Sequence, residues 1–152
     1  MRRLIAIVVA AGAAFGGYRV YSTSFGPVAH YEKFAEEIVH RRYDAAAAMC
    51  DGLTAADLEK LGSQERIGAG PPMFQTLFSS LFDIQSRETT PDGLTVINAV
   101  QTVRFNPAGV ESAIRPAMFA TLKQVIKLRN GSGGWKVVSF ENNFMKMDST
   151  SR

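Results

Sequence analysis

The stretch "MFATLKQVIKLRNGSGGWKVVSF" (residues 118–140) decides the fold of this chain. In its first half apolar and polar side chains alternate, which is the period of a strand with one buried face. The glycine-rich "NGSGG" (130–134) supplies the residues that a tight hairpin turn needs, and Trp135 then opens a second apolar run. The stretch therefore predicts an antiparallel hairpin whose first strand buries Met118, Ala120, Leu122, Ile126 and Leu128.

Two further strands are predicted immediately upstream of this hairpin. "LTVINAVQTVRF" (94–105) is long and rich in β-branched residues, and it carries apolar side chains on both of its faces. "DIQSRETT" (83–90) is a shorter strand, and "PDG" (91–93) between the two is a turn signal. Together with the hairpin they predict a curved antiparallel sheet of about four strands.

The part of the chain before these strands has a helical period. Residues 28–40 carry apolar side chains at the three- and four-residue spacing of one buried helical face. An alanine-rich segment (44–50) predicts a second helix, since alanine has the highest helix propensity. "TAADLEKLG" (54–62) predicts a third helix, with Thr54 as its N-cap and the acidic Asp57 three residues on, a pattern close to a capping box.

A fourth helix is predicted where the apolar pattern is most strongly amphipathic, over "PPMFQTLFSSLFD" (71–83). Helices that come before the strands rather than between them define the α+β class. We therefore expect the N-terminal helices to pack on one face of the curved sheet, preceded by one short transmembrane or signal helix.

The short transmembrane or signal helix is predicted from the first 21 residues, "MRRLIAIVVAAGAAFGGYRVY". Arg2 and Arg3 precede an uncharged, mostly apolar run over residues 4–18. Two interpretations stay open: an uncleaved signal anchor that spans the membrane once, or a signal peptide that is cleaved. In both, the positive-inside rule keeps Arg2 and Arg3 in the cytoplasm and sends the body across the membrane.

This segment sets the expected domain boundaries and the expected location. Residues 1–21 are the signal anchor or signal peptide, 22–27 a linker, 28–144 the folded domain and 145–152 a flexible tail. We expect a single-pass protein of the inner (cytoplasmic) membrane whose body lies on the periplasmic, extracytoplasmic side. The alternative is a protein secreted after cleavage.

Charge and cysteine content exclude several classes of function. The net charge is +3, but without Arg2, Arg3 and Arg19 the chain has 14 basic and 14 acidic residues. A neutral body offers no basic stripe for a nucleic acid, so that partner is not expected. The single cysteine, Cys50, has no partner for an internal disulfide, and the sequence holds no zinc-type cysteine and histidine spacing. The sequence therefore assigns no metal and no cofactor.

Three segments together resemble a known superfamily. They are the first helix with the following "RRYDAAAAMCDGLT" (41–54), the long strand "GLTVINAVQTVRF" (93–105) and the closing hairpin "FATLKQVIKLRNGSGGWKVVSF" (119–140), whose ending "GGWKVVSF" is the most suggestive piece. With them, residues 27–144 resemble the nuclear-transport-factor-2-like superfamily, the cone-shaped fold shared with ketosteroid isomerase and polyketide cyclases. The resemblance implies a cavity between helices and sheet. A single span ahead of this fold is also similar to the periplasmic assembly subunits of type IV secretion systems.

Three hypotheses for the function follow, and the first is a non-catalytic domain that acts through protein contacts. It would be an accessory or scaffold subunit of an envelope protein complex, tethered to the membrane or exported. The resemblance implies that the sheet face turned away from the helices often supports dimerisation. A protein partner or a second copy would bind there through Phe119, Lys123, Val125 and Lys127.

The second hypothesis is a protein that binds a small apolar, lipid-like ligand between helices and sheet. Such pockets are mostly apolar and carry a few polar groups that orient the ligand. Gln124 interrupts the inward face of its strand, where a buried amide must find partners or line a wet cavity. The candidate lining residues are Tyr31, Phe34, Phe74, Phe78, Phe82, Asn98 and Gln124.

The third hypothesis is an enzyme of the isomerase or dehydratase type, which the resemblance implies as an alternative. Isomerase chemistry in such a cavity uses a carboxylate base with a neutral acid or a tyrosine as hydrogen-bond donor. The candidate carboxylates are Asp83, Glu88, Glu111 and Glu141, and none has a partner at a diagnostic spacing. No catalytic residue is therefore assigned.

Replacement of both leader arginines by glutamate, Arg2→Glu with Arg3→Glu, should impair export or invert the topology. The physical reason is the loss of the positive charge that holds the N-terminus in the cytoplasm. Protease protection in spheroplasts reports on which side the body lies. The variant with lysine at both positions keeps the charge and should behave like the original chain. Unaltered protection of the glutamate variant would contradict a signal or anchor role.

Overall fold

The computed structural model describes residues 26–63, 74–77, 80–107 and 118–149. Over these ranges helices come first and an antiparallel sheet follows, which confirms the α+β class and the sheet of about four strands. The helices are α1 (Pro27–Val39), α2 (Tyr43–Ala48) and α3 (Ala55–Ser63). The strands are β1 (Phe74–Leu77), β2 (Leu81–Thr89), β3 (Thr95–Pro107), β4 (Met118–Gly131) and β5 (Gly134–Ser149).

β3 is the central strand of the sheet. One of its edges pairs with β4, and its other edge pairs with β2 and then with β1, which lie end to end. β5 pairs with the outer edge of β4, so the sheet is four strands wide and every pairing is antiparallel. The predicted β4–β5 hairpin is confirmed. Its turn includes Gly134, whose φ of +92° is a left-handed conformation that glycine adopts without strain.

The three described helices pack on one face of the sheet, which we call the inward face. α1 presents the predicted apolar side to it, and the ring of Phe34 meets Phe140 of β5 edge-on, with 5.0 Å between centroids. α2 and α3 contribute Ala46 and Leu58 to the same core. The buried residues of this cluster are Tyr31, Phe34, Ala35, Ile38, Ala46, Leu58, Ile97, Ala99, Ile126, Leu128, Val137 and Phe140. A second buried cluster on the sheet consists of Val103, Phe105, Ala120 and Leu122.

The fourth helix predicted over residues 71–83 is wrong, because β1 and β2 occupy most of this segment. Aromatic and leucine residues three or four apart fit a helix. However, half-buried Phe82 and Ile84 also alternate with exposed Leu81 and Asp83, which is a strand period. The free edge of β3 decides between the two patterns, because its backbone N–H and C=O groups require partners.

β5 is longer than the sequence indicates. It continues to Ser149, and its last residues pair with the start of β4. Residues 145–149, which the sequence assigns to the flexible tail 145–152, are therefore strand. The reason is the length of β4, whose outer edge offers hydrogen-bonding partners as far as Met118.

The leader, residues 1–21 with Arg2 and Arg3, lies outside the described residues, as does most of the linker. Pro27, the last linker residue, is already the first residue of α1, a position where its missing N–H is not needed. In the described part of the chain no helix has the length and apolar character needed to cross a membrane.

The capping box predicted at the start of α3 is confirmed. The backbone N–H of Asp57 donates to the hydroxyl of Thr54 at 3.2 Å, and the backbone N–H of Thr54 donates to the Asp57 carboxylate at 3.1 Å. The Thr54 hydroxyl also donates to that carboxylate at 2.6 Å. The bond from the Thr54 hydroxyl contributes most to lowering the pKa of the Asp57 carboxyl group, and the bond from the Thr54 backbone N–H lowers it further. They also satisfy an N–H group that the first turn of a helix leaves free.

Thr54→Ala should lower the free energy of unfolding by about 1 kcal/mol, because α3 loses its N-cap. Urea unfolding followed by circular dichroism measures the change. Thr54→Ser keeps the hydroxyl and should remain within about 0.5 kcal/mol of the original chain. Equal stability of the alanine variant and the original chain would show that the box contributes nothing.

Candidate functional site

A network of buried polar side chains crosses the inward face. Gln101 of β3 and Gln124 of β4 are fully buried, and the side-chain nitrogen of Gln124 donates to Oε1 of Gln101 at 2.7 Å. The same nitrogen donates to Oδ1 of Asn142 on β5 at 2.8 Å. The hydroxyl of Tyr31 on α1 donates to Oε1 of Gln124 at 2.6 Å. Gln124 is therefore the centre of a network that joins α1 to three strands.

The network continues toward the C-terminal end of α1. Nε2 of Gln101 donates to the hydroxyl of Ser80 at 2.8 Å, and the backbone N–H of Ser80 donates to Oε1 of Glu36 at 2.7 Å. Oε2 of Glu36 is buried and lies 3.5 Å from Nε2 of His40, which makes an ion pair when His40 is protonated. We define the inward polar chain as the set of these hydrogen-bonded residues: Tyr31, Glu36, Ser80, Gln101, Gln124 and Asn142.

Tyr31 is held as a neutral hydrogen-bond donor. Burial raises the pKa of its phenol, and the adjacent carboxylate of Glu32 raises it further. The ring of Phe82 on β2 meets the Tyr31 ring edge-on, with 5.5 Å between centroids. Because the phenol stays protonated and its ring is packed, the inward polar chain fixes the position of α1 on the sheet.

The structure brings together four of the residues predicted to line a pocket, namely Tyr31, Phe34, Phe82 and Gln124. They lie in the packed layer between α1 and the sheet, and the polar groups among them bond to one another. Phe74 lies on β1, and Phe78 lies outside the described residues.

Asn98, predicted beside these residues, lies on the other face of the sheet instead. Alternation along β3 turns it away from the helices, and its side-chain nitrogen donates to the hydroxyl of Ser86 on β2 at 2.8 Å. The sequence did not point to Gln101, Ser80 or Asn142 as network members. The alternation of side chains along β3 is enough to place Gln101 on the inward face. Ser80 cannot be found in this way, because it lies in the segment 71–83, where the sequence pattern wrongly predicts a helix.

The face of the sheet opposite the helices carries the residues predicted as an interface. Phe119, Lys123, Val125 and Lys127 alternate with the inward residues of β4, so all four lie on that face. Phe119 and Val125 are half-buried, and the two lysines are exposed. We call this side the open face and define it by Asp83, Glu88, Val96, Val100, Phe119, Lys123, Val125 and Lys127.

Two rows of side chains with the same charge pattern cross the open face. In the first row, Asp83 of β2 lies opposite Val100 of β3, which lies opposite Lys123 of β4. The second row repeats this pattern with Glu88, Val96 and Lys127. Strands are spaced by about 4.8 Å, so the acid and the lysine of a row are roughly 10 Å apart. Among the described residues neither lysine has an ion-pair partner.

Reactive side chains lie apart from one another over the described ranges. Asp83, Glu88 and Glu141 are exposed on strands, and Glu111 lies outside those ranges. The thiol of Cys50 donates to a main-chain carbonyl at 3.3 Å, and burial raises its pKa to about 11, so it is protonated at neutral pH. No group of three or more histidine, cysteine, aspartate or glutamate side chains that could hold a metal ion occurs there.

Comparison with protein-family models, with curated proteins and with solved structures finds no match for this chain. The resemblance to the nuclear-transport-factor-2-like superfamily rests on the three sequence segments that carry it, and it stays a prediction.

Tyr31→Phe should lower the free energy of unfolding by about 1–3 kcal/mol, because the buried Oε1 of Gln124 loses its donor. A double-mutant cycle with Gln124→Leu, measured by urea unfolding, should give a coupling energy of about 1 kcal/mol or more. A second cycle that combines Tyr31→Phe with Lys127→Ala on the opposite face should be additive. Coupling near zero in the first cycle would contradict the network.

Proposed function

We propose that this chain is a non-catalytic domain, tethered to the membrane or exported, that acts as an accessory or scaffold subunit of an envelope protein complex. Its contact surface is the open face, and the partner at that face is a second copy of the chain. The proposal is carried by the two rows on the open face, which consist of Asp83, Val100 and Lys123 and of Glu88, Val96 and Lys127.

A two-fold axis along β3 makes the open face complementary to itself. Such an axis preserves position along the strands and exchanges the two sides of β3, so β4 of one copy faces β2 of the other. Lys123 of one copy then faces Asp83 of the other, and Lys127 faces Glu88. The valines of the two β3 strands meet at the centre. An axis across the strands would instead place lysines opposite lysines and acids opposite acids.

The dimensions of packed sheets fit this arrangement. Two sheets that pack face to face lie about 10 Å apart, with strand directions that differ by about 30°. Lysine and glutamate side chains are long enough to span that gap and the offset. Val96, Val100 and Val125 supply an apolar centre, as protein interfaces require. The charged flanks fix how the copies meet rather than supply most of the affinity.

The pocket hypothesis has weaker support. Gln101 and Gln124, the polar groups that would orient a ligand on the inward face, are fully buried and bonded to each other. A ligand would have to break those bonds, and leaving a buried polar group unpaired costs about 1–3 kcal/mol. The lysines of the open face, in contrast, have no ion-pair partner in the described part of the chain.

Lys123→Glu should weaken the association of the full-length chain in detergent by about tenfold or more, because each dimer loses two attractions and gains two repulsions. Asp83→Lys should weaken it for the same reason. The combination of Asp83→Lys with Lys123→Glu restores opposite charges across the axis and should recover most of the lost affinity. Analytical ultracentrifugation over a concentration series measures the dissociation constants.

Arg87→Glu is the matched control, since it reverses one exposed charge on β2 outside both rows. Its dissociation constant should remain within about twofold of that of the original chain. The second-copy assignment fails if the chain is monomeric throughout, or if the charge-swapped variant associates no better than the single variants. A monomer that binds a different envelope protein through Lys123 would retain the scaffold role and exclude the second copy.

A further inference from the structure

A cleft of about 550 Å³ opens at the end of the body where α1 begins. Its walls come from the first turns of α1, from the end of α2 and from the β4–β5 turn. Trp135 lies on the β5 wall, where it is half-buried and packs against the core. We call this cleft the basic cleft and define it by His30, Lys33, Asn130, Trp135 and Lys136.

Every ionisable side chain that lines the basic cleft is a base. Lys136 is held in place because its ammonium group donates to the carbonyl of Ala48 at 2.7 Å. Lys33 is exposed, and Glu37, one turn further along α1, is already paired with Arg42. The cleft therefore presents two ammonium groups with no acid on its walls, which favours an anionic occupant.

The side chain of His30 experiences the positive charge of the same two lysines. Its Nε2 lies 3.4 Å from the carbonyl of Met49. Burial lowers the pKa of His30, the hydrogen bond with the Met49 carbonyl partly opposes this, and the positive charges of Lys136 and Lys33 lower the pKa further. At neutral pH His30 is therefore a neutral, half-buried wall of the cleft, and the charge available to an anion comes from the two lysines.

The length of the linker holds the cleft near the membrane if residues 1–21 span it. The five peptide units from Tyr21 to Gly26 extend at most about 18 Å. His30 lies about 6 Å further along α1. The α1 wall of the cleft is therefore within about 25 Å of the end of the span, close to a headgroup layer that is itself about 5–8 Å thick.

We propose that the basic cleft binds the phosphate group of an anionic phospholipid such as phosphatidylglycerol, with Lys33 and Lys136 as charge partners and Trp135 at headgroup level. This inference rests on the tether in the proposed function and is independent of the second copy at the open face. Tryptophan favours the interfacial region because its ring is largely apolar and its N–H is polar. A lysine near an anionic membrane surface is attracted to it electrostatically. Such weak contacts suffice because the tether keeps the local lipid concentration high.

Trp135 is the single tryptophan of the chain, so its fluorescence reports directly on the cleft. The full chain is reconstituted in nanodiscs of phosphatidylcholine alone and in nanodiscs with added phosphatidylglycerol. We expect a blue shift of the emission and weaker quenching by acrylamide only where phosphatidylglycerol is present. Identical emission in both lipid compositions overturns the proposal.

Lys33→Glu should abolish the difference between the two lipid compositions, because it replaces a positive charge of the cleft by a negative one. Lys146→Glu is the matched control, since it makes the same charge reversal near the far end of β5 and should preserve the difference. Persistence of the full blue shift in Lys33→Glu contradicts a phosphate site at the cleft.

Glycerol phosphate and inorganic phosphate, titrated into the full chain in detergent, separate a lipid headgroup from a free phosphate. We expect no saturable change in Trp135 emission from either. A saturable change that Lys33→Glu removes would identify a soluble phosphate ligand and overturn the lipid assignment. A chain that does not remain with the nanodiscs disproves the tether, which is a failure of the proposed function and not of the cleft alone.

Discussion

The register of β3 between β2 and β4 is the constraint on which both faces of the sheet depend. β3 is paired on both edges over most of its length, and its side chains alternate between the faces at every residue. The register that buries Gln101 on the inward face also places Val100 between Asp83 and Lys123 on the open face. A slip of one residue would turn the valines inward and the glutamine outward. The buried network and the proposed contact surface are thus two consequences of one strand alignment.

The inward polar chain helps to specify that alignment more than it adds to stability. A hydrogen bond between buried groups gains about 1 kcal/mol net, whereas a buried group left without its partner costs more. Gln124 bonds to Tyr31, Gln101 and Asn142 together, and a shifted strand would leave some of these groups unpaired. The apolar clusters on either side of the network have no such directional requirement, since hydrophobic contacts depend on area rather than angle.

Local signals predict the fold wherever they agree with one another. α1 has a helical period, α3 has a capping box, and the alternation in β4 identifies both buried Gln124 and the face that Lys123 shares with Lys127. Residues 71–83 are different, because their aromatic spacing fits two periods and the deciding edge of β3 lies far along the chain. The same limit applies to the rows on the open face. Alternation gives the face of a residue, but only the register places a given acid in line with a given lysine.

The proposed tether is compatible with the symmetry axis that the charged rows favour. Two copies anchored in one bilayer with the same topology require an axis normal to the membrane, because both spans must enter from the same side. An axis along β3 keeps the strand direction, so both β4–β5 turns and both basic clefts lie at one end of the pair. That is also the end where α1 begins. An axis across the strands would instead place the two basic clefts at opposite ends of the pair. The axis that pairs lysine with acid therefore also turns both basic clefts, and the starts of both α1 helices, toward one side, as a shared membrane surface would require.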